Sequence, residues 1–445
     1  MLPLSLLLTL LPALGHAVPT TQADVDNDPA AAPARPGSPF TIPVRANPHH
    51  VPDGPAELAA AYRKWDMPVP EGLERHELSR RAGYSSGISA ATSTGGDSYW
   101  LSDIYVGYPE AQALPVMIDS GSPDFWLLST DTQFPEVASL VARPPLYNPK
   151  LSEASQEVPG FAWNVQYSDK GSSDLRGKVY FDNLRIGKIG DLHWFNITNA
   201  TIQSAVTIGP RIAVDPRRTG VLGIAKTRRS TITPQMPTTM DRLRAELHFE
   251  SIGIDLRHNS SRGFFDFGSG RTGGAADLVH EPVPVPATDH WDFRVSLFRM
   301  STMGESEWWT TAFLATVDTG TSLLLLPGIY VAKYYSEIPG ATFDTDLQSW
   351  LFPCDIASGI PDFEFQTSGG YRGKLPKEYI NFGPVPSATD KCFGSIQNSA
   401  SKQAIFGAAV LKTMYVQLNY GEQGSFVSFG KKGLDACSFT STCTV

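Results

Sequence analysis

The chain has 445 residues, 41% of them hydrophobic, 11% aromatic and 18% charged, with a formal net charge of −9. That length is enough for two lobes and a sizeable core, and the composition is that of a globular protein rather than a disordered one. An acidic chain lacks the basic footprint of a nucleic-acid binder, so no nucleic-acid partner is expected.

Residues 1–17 read as a signal peptide. Leu4–Leu11 is a short apolar core, and Gly15-His16-Ala17 offers small residues for cleavage. Pro3, Pro12 and the shortness of the run argue against a membrane anchor, and no later segment reads as a membrane span. No hydrophobic tail of the kind that precedes a lipid anchor is seen, which favours free secretion over a vacuolar or wall-bound form. From Val18 to about Gly54 the composition is linker-like, rich in Pro, Ala and Asp. Glu57-Leu58-Ala59-Ala60-Ala61-Tyr62-Arg63-Lys64-Trp65 predicts a short helix with an acidic start and a basic end, both suited to the helix dipole. Arg80-Arg81 is a dibasic site open to a processing protease.

Beyond this leader, short alternating or apolar runs are punctuated by Gly, Pro, Asn and Asp, which predicts an all-β body. Short helices are expected near Pro237–Leu243 and Ile329–Tyr335. Two stretches carry the chemistry: Val116-Met117-Ile118-Asp119-Ser120-Gly121-Ser122 and Ala315-Thr316-Val317-Asp318-Thr319-Gly320-Thr321-Ser322. Each places an Asp at the tip of an apolar strand. Gly121 and Gly320 are expected to permit positive φ and a sharp turn, and the hydroxyl residues to lock it by bonding nearby backbone. One Asp-hydroxyl-Gly is an ordinary turn. Two such carboxylates brought face to face share a proton and titrate as a pair.

The repeat goes further. Gly220-Val221-Leu222-Gly223-Ile224-Ala225 follows the first Asp, and Ala404-Ile405-Phe406-Gly407-Ala408-Ala409 follows the second. A Gly inside an apolar strand marks close backbone approach. The chain therefore reads as two related lobes, each supplying one Asp. Four cysteines suit a secreted protein, and their spacing leaves the pairing open. No Cys-x-x-Cys accompanies them, so no metal is expected. Asn196, Asn199 and Asn259 stand in N-x-Ser/Thr sequons and are candidate glycosylation sites.

From about Tyr99 to Gly430 the sequence resembles the pepsin-like aspartic endopeptidases, most of all the secreted fungal members. The resemblance rests on the strand Ser98–Gly107, on Asp119-Ser120-Gly121-Ser122-Pro123-Asp124-Phe125-Trp126, on a flap-like stretch Trp163–Ser173, and on Val317–Ser322 with Ala404–Leu411 and the closing strands. It implies an all-β, bilobal fold with two pseudo-symmetric lobes and a central cleft. It implies residues 18–81 as propeptide, 82–98 as an extension at the mature N-terminus, 99–274 as the N-terminal lobe and 275–445 as the C-terminal lobe. Asp119 and Asp318 are the implied catalytic pair. Gly121, Ser122, Gly320 and Thr321 surround them, Tyr167 and Asp169 belong to the flap, and Trp126 partners Tyr167. Lys64 resembles the propeptide lysine that lies across the catalytic pair in such zymogens, with Trp65 where Tyr is common. The resemblance favours a Cys354–Cys392 disulfide and leaves Cys437 and Cys443 to close a small loop. Ser120 stands where many members have Thr, Ser168 where Gly is usual, and Ala408 where Asp is frequent.

The expected function is a secreted acid endopeptidase, made as a zymogen and acting as a monomer without cofactor. Its partners are protein and peptide substrates and pepstatin-like inhibitors. Water activated between Asp119 and Asp318 attacks the peptide carbonyl, with no covalent intermediate. A glycosidase also uses two carboxylates, but has no need of two Asp-hydroxyl-Gly copies behind matching strands. The remaining alternative is a pepsin-fold binding protein without activity. No Gly-x-Ser-x-Gly stands behind an apolar strand to suggest a serine nucleophile.

Overall fold

The computed structural model describes residues 39–46, 52–85, 100–134, 143–165, 175–187, 194–209, 217–226, 229–247, 249–258, 263–268, 276–284, 288–356, 359–421 and 424–432. The signal peptide, Tyr167, Asp169, Asn259, Cys437 and Cys443 lie outside them.

The first lobe is built around five adjacent strands in the order β2 (Trp100–Val106), β3 (Gln112–Asp119), β8 (Gly220–Gly223), β4 (Phe125–Gln133) and β7 (Trp194–Ile208). The second lobe repeats this with β13 (Asp292–Met300), β14 (Trp309–Val317), β23 (Ala404–Phe406), β15 (Leu324–Pro327) and β22 (Ile396–Ser399). The pairing senses match as well. β3 runs parallel to β8 and β14 parallel to β23. β4 and β15 then pair antiparallel with the same short strands and parallel with β7 and β22. The repeat in the sequence is thus a repeat of sheet topology. In each lobe the Asp-bearing strand is flanked on both sides and buried. Ile118, Val116, Val317 and Ala315 are all at most 3% exposed.

Past β7 the first sheet continues into the hairpin β5 (Gln156–Val165) and β6 (Leu175–Gly187), with β9 (Ile232–Thr233) at its edge. Trp163 faces Gly177 and Val165 faces Leu175 across this hairpin, whose tip is the expected flap. On the other side of β2 lies a platform of β1 (Phe40–Ala46), β11 (Gly263–Phe267), β10 (Ser251–Asp255), β24 (Tyr415–Asn419), β25 (Phe426–Lys431) and β12 (Ala276–His280). Strands from both halves of the chain share it, so one continuous core joins the lobes. Phe40, Phe267, Trp291, Phe293 and Phe429 all belong to that core.

The second lobe also carries β18 (Phe363–Thr367) and β19 (Arg372–Leu375), and a four-stranded sheet of β16 (Thr342–Asp344), β17 (Ser349–Pro353), β21 (Ala388–Gly394) and β20 (Asn381–Val385). Cys354 and Cys392 form a disulfide there. Among the described residues the α-helices are α1 (Gly54–Lys64), α2 (Glu71–Ser85), α3 (Thr239–Arg244), α4 (Gly328–Tyr335) and α5 (Ala408–Leu411). α3 and α4 fall where the sequence predicts helix, and a Thr238–Asp241 capping box starts α3.

The leader departs from its linker-like reading. Phe40, Ile42 and Val44 alternate with exposed residues in β1 and are almost fully buried against β11. A period-two pattern of three apolar residues is short, and its stability comes from the strand it meets. Asp53 is the N-cap of α1, its carboxylate accepting from Ala56 N at 3.1 Å, with Pro55 in the first turn. α2 was not expected. Its exposed face is charged, and it is held by contacts distant in sequence: Arg63 of α1 forks onto Glu77 at 2.7 and 2.5 Å, and His76 meets Asp53 at 2.9 Å. Arg80 and Arg81 fall inside α2. Leu58, Ala59, Tyr62, Met67 and Leu73 of the leader form one core with Leu323, Leu325, Leu351, Val385 and Phe393 of the second lobe.

Candidate active site

Asp119 ends β3 and Asp318 directly follows β14, so each carboxylate sits at a strand tip. The chain then turns back over the short parallel strand. Ile224 N donates to Asp119 O at 2.8 Å, and Asp318 N donates to Phe406 O at 3.0 Å. Gly223 and Gly407 act as the sequence predicts. A Cβ on Gly223 would lie 2.4 Å from Ser122 O, and one on Gly407 2.2 Å from Leu323 O.

Gly121 and Gly320 are needed for a different reason from the one expected. Neither adopts positive φ. A Cβ on Gly121 would lie 2.7 Å from Asp318 Oδ1, and one on Gly320 2.4 Å from Asp119 Oδ1. Each glycine leaves room for the opposite lobe's carboxylate. Their amides also donate to their own Asp: Gly121 N to Asp119 Oδ1 and Gly320 N to Asp318 Oδ1, both at 2.9 Å. The outer oxygens accept from hydroxyls, Asp119 Oδ2 from Ser122 at 2.5 Å and Asp318 Oδ2 from Thr321.

The second hydroxyl pair is also used differently. Ser120 and Thr319 do not lock their own turns but cross between lobes. Ser120 Oγ donates to Val317 O at 2.9 Å and Thr319 Oγ1 to Ile118 O at 2.7 Å. Each hydroxyl also accepts the other residue's amide N–H at 3.0 Å. Four buried bonds therefore fix the spacing of the two strand tips. Ser in place of Thr at position 120 costs none of them.

Lys64, the last residue of α1, reaches between the carboxylates. Its Nζ lies 2.6 Å from Asp119 Oδ1 and 2.6 Å from Asp318 Oδ1. The three side chains are 12%, 4% and 0% exposed, so the buried ammonium keeps its charge only because the carboxyl groups face it. Burial disfavours charge on the Lys64 ammonium, but the two carboxylates outweigh it and hold its pKa above the usual lysine value. Burial pushes Asp119 up; Lys64 opposes this and the charge of Asp318 adds to it. Burial also acts upward on Asp318, but Lys64 and the Thr321 hydroxyl win and hold it below the usual carboxylate range. Two equivalent carboxyl groups are thus pushed apart, one towards the acid and one towards the base form.

Trp65, read only as a substitute for Tyr, donates its indole N–H to Asp318 Oδ2 at 2.9 Å. Glu57 of α1 accepts from Ser322 Oγ at 2.8 Å. No sequence motif marks either contact. Trp126 is 4% exposed and packs with Met117, Trp163 and Val221 beside the hairpin. Its indole N–H has no hydrogen-bond partner among the described residues. Asn196 and Asn199 lie exposed on β7.

Comparison with known proteins bears on this geometry. A family model described as "Eukaryotic aspartyl protease" matches residues 99–431. The chain belongs to the eukaryotic aspartyl protease family. The class expected from the two Asp motifs, an aspartic-type endopeptidase, is the class of this family. Similar curated proteins include endothiapepsin of Cryphonectria parasitica, 29% identical over 84% of this chain and 86% of that protein. Penicillopepsin-3 of Penicillium janthinellum is 30% identical over 81% of this chain and 85% of its own length. Aspergillopepsin-1 of Aspergillus fumigatus is 28% identical over 84% and 87%. The fold is that of the aspartic proteinase from Irpex lacteus, which matches with a TM-score of 0.57 at 18% identity, over 78% of this chain and 97% of that one. Among the described residues no helix is long and apolar enough to cross a membrane.

Proposed function

We propose that this aspartyl protease is secreted as a latent precursor and, in acid, cleaves peptide bonds with a water activated by Asp119 and Asp318. The observation that carries the reading is the pair of Oδ1 atoms, each 2.6 Å from a single nitrogen. An atom that touches both carboxylates occupies the position the attacking water needs. Once Lys64 leaves, the pair holds one proton between them. The ionised member takes a proton from the water, whose oxygen adds to the scissile carbonyl carbon. The protonated member donates a hydrogen bond to the carbonyl oxygen. The tetrahedral intermediate then collapses as the carboxyl that took the water's proton passes it to the amide nitrogen and the C–N bond breaks, giving a carboxyl and an amine terminus. The Gly121 and Gly320 amides and the Ser122 and Thr321 hydroxyls keep both carboxylates oriented through these steps.

Lys64 makes the same chemistry impossible in the precursor. Asp318 has a depressed pKa in the docked state, so its share of the docking energy is present above the ordinary carboxylate pKa and is lost as pH falls through the depressed value. Lys64 has a raised pKa, so its share is lost only in alkali. Burial holds Asp119 above its ordinary value and so acts in the opposite sense, but Lys64 pulls both carboxyls down on docking. Protonating them in acid removes both ion pairs, so acid opens the lock and neutral pH keeps it shut. Lowering the pH of freshly secreted precursor should release a fragment that contains Lys64, together with pepstatin-sensitive cleavage of a denatured protein. Full activity at neutral pH with residues 18–81 still attached contradicts the latent-precursor reading.

A further inference from the structure

We propose that hydrolysis after Arg81 is the second step of maturation: α2 closes the dibasic site while the leader is docked, and a processing protease cuts only precursor whose leader has left the cleft. The proposal rests on the latent-precursor reading above. In that step water adds across the Arg81–Ala82 peptide bond, leaving a carboxyl on Arg81 and an amine on Ala82. The agent is a serine endopeptidase specific for paired basic residues.

Arg80 and Arg81 lie inside α2, which continues to Ser85. An endopeptidase cleft takes its substrate as an extended strand. The stretch 78–83 spans about 9 Å as helix and about 20 Å as strand. Its carbonyls run along the helix axis into the helix's own hydrogen bonds. The site must unwind before it can be cut.

The docked leader is what keeps α2 wound. A helix of 15 residues is marginal in water by itself, so its stability comes from what it touches. Leu73 is fully buried in the core that the leader shares with the second lobe. A Cβ on Gly72 would lie 2.1 Å from Asp346 O, so the first turn of α2 lies directly on the turn between β16 and β17. Arg75 pairs with both Glu71 and Asp346. His76 meets both carboxylate oxygens of Asp53, the N-cap of α1, at 2.9 and 3.0 Å. Arg63 of α1 forks onto Glu77, with side chains only 6% and 14% exposed. Glu77 adjoins the stretch that must unwind, so this clamp guards its near end. Arg63 also directly precedes Lys64, which fills the space between the two carboxylates. Withdrawal of Lys64 and release of Glu77 are therefore one motion of α1. The lock on the catalytic pair and the lock on the dibasic site open together.

The test uses the secreted precursor at neutral pH with its leader attached. The probe is a serine endopeptidase specific for paired basic residues, and the rate without it is subtracted. Appearance of the Ala82 amine terminus is followed by mass spectrometry. A short unstructured peptide of the same sequence around Arg81 gives the intrinsic rate. Wild-type precursor should be cut at least about 10-fold more slowly than this peptide, because cleavage follows the open population. Lys64→Met and Glu77→Ala each break a buried ion pair and should each raise the rate by about 10-fold or more. Gly83→Ala strengthens the helix without touching the docking contacts, so misfolding cannot explain its effect. It should slow the cut in the precursor by about 2- to 5-fold and leave the peptide unchanged. Equal rates in wild type, Lys64→Met and Glu77→Ala overturn the gate while leaving the latent-precursor reading intact. Wild-type precursor cut as fast as the peptide does the same. Full proteolytic activity of uncut precursor at neutral pH overturns both.

Discussion

Replacing Gly320 by Ala adds one carbon where the other lobe's carboxylate, Asp119, comes against the chain. That carbon would lie 2.4 Å from Asp119 Oδ1, 2.6 Å from Asp119 Cγ and 2.6 Å from Lys64 Nζ. The lysine can withdraw, because it is the end of a flexible chain. Asp119 cannot do so freely: Gly121 N, Ser122 Oγ and Lys64 hold its carboxylate, and the residue is 3% exposed. Real Cβ contacts almost never fall below 3.0 Å, so the carboxylate must retreat by roughly 0.6 Å, the gap between that value and the 2.4 Å found here. Overpacking of this kind costs about 1–3 kcal/mol of stability, and a reacting group misplaced by about 1 Å loses about 100-fold in rate. Gly320→Ala should therefore lower kcat/KM by about 10- to 100-fold and shift urea unfolding of the precursor to lower denaturant. Gly328→Ala is the control, since a Cβ there comes no closer than 3.6 Å to any neighbour. A Gly320→Ala enzyme within threefold of wild type and equally stable would refute the close-approach explanation of this glycine.

Lys64→Met removes the ammonium from between two buried carboxylates. Exchange protection of α1 at neutral pH should fall, by up to about 3–5 kcal/mol, and should lose its dependence on pH in the acid range; an unaltered pH profile argues against the lock. Ser122→Ala deletes a hydrogen bond that favours the ionised form of Asp119, so that carboxyl should rise further and the alkaline limb of the pH–rate profile move upward, with Ser122→Thr restoring it. A limb that does not move contradicts the role given to Ser122. Reverting the Cys354–Cys392 bridge to serines frees a loop of sequence separation 38. Unfolding in urea should lose about 3–4 kcal/mol, and a midpoint unchanged from wild type contradicts this.

The sequence was most informative where both lobes face the same physical problem. An Asp at a buried strand tip, with a second short strand laid parallel to it, requires an apolar run before the Asp and a side-chain-free residue where the chains cross. Those needs occur in both lobes, so the two copies match in the sequence. What did not show was whatever depends on a partner far away in the chain. β1 is only three apolar residues in alternation until β11 lies beside it, and α2 is a charged segment until Arg63, Asp53 and Asp346 hold it. The reason for Gly121 and Gly320 is hidden in the sequence, because a single strand cannot reveal the carboxylate that arrives from the other lobe. The same holds for Ser120 and Thr319, whose hydroxyls bond across the interface, and for Trp65, whose indole finds Asp318.

The most direct test of the two-carboxylate chemistry is cleavage of a denatured protein in acid by the activated full chain, with and without pepstatin, beside Asp119→Asn and Asp318→Asn. These substitutions keep the shape of each side chain and remove its ability to exchange a proton. Cleavage by the wild type that pepstatin abolishes, and that each substitution reduces to background while the fold persists, is the predicted result. Cleavage that survives either substitution contradicts a shared-proton pair, and none at all from folded, fully processed wild type leaves a protein that binds peptides on a protease fold.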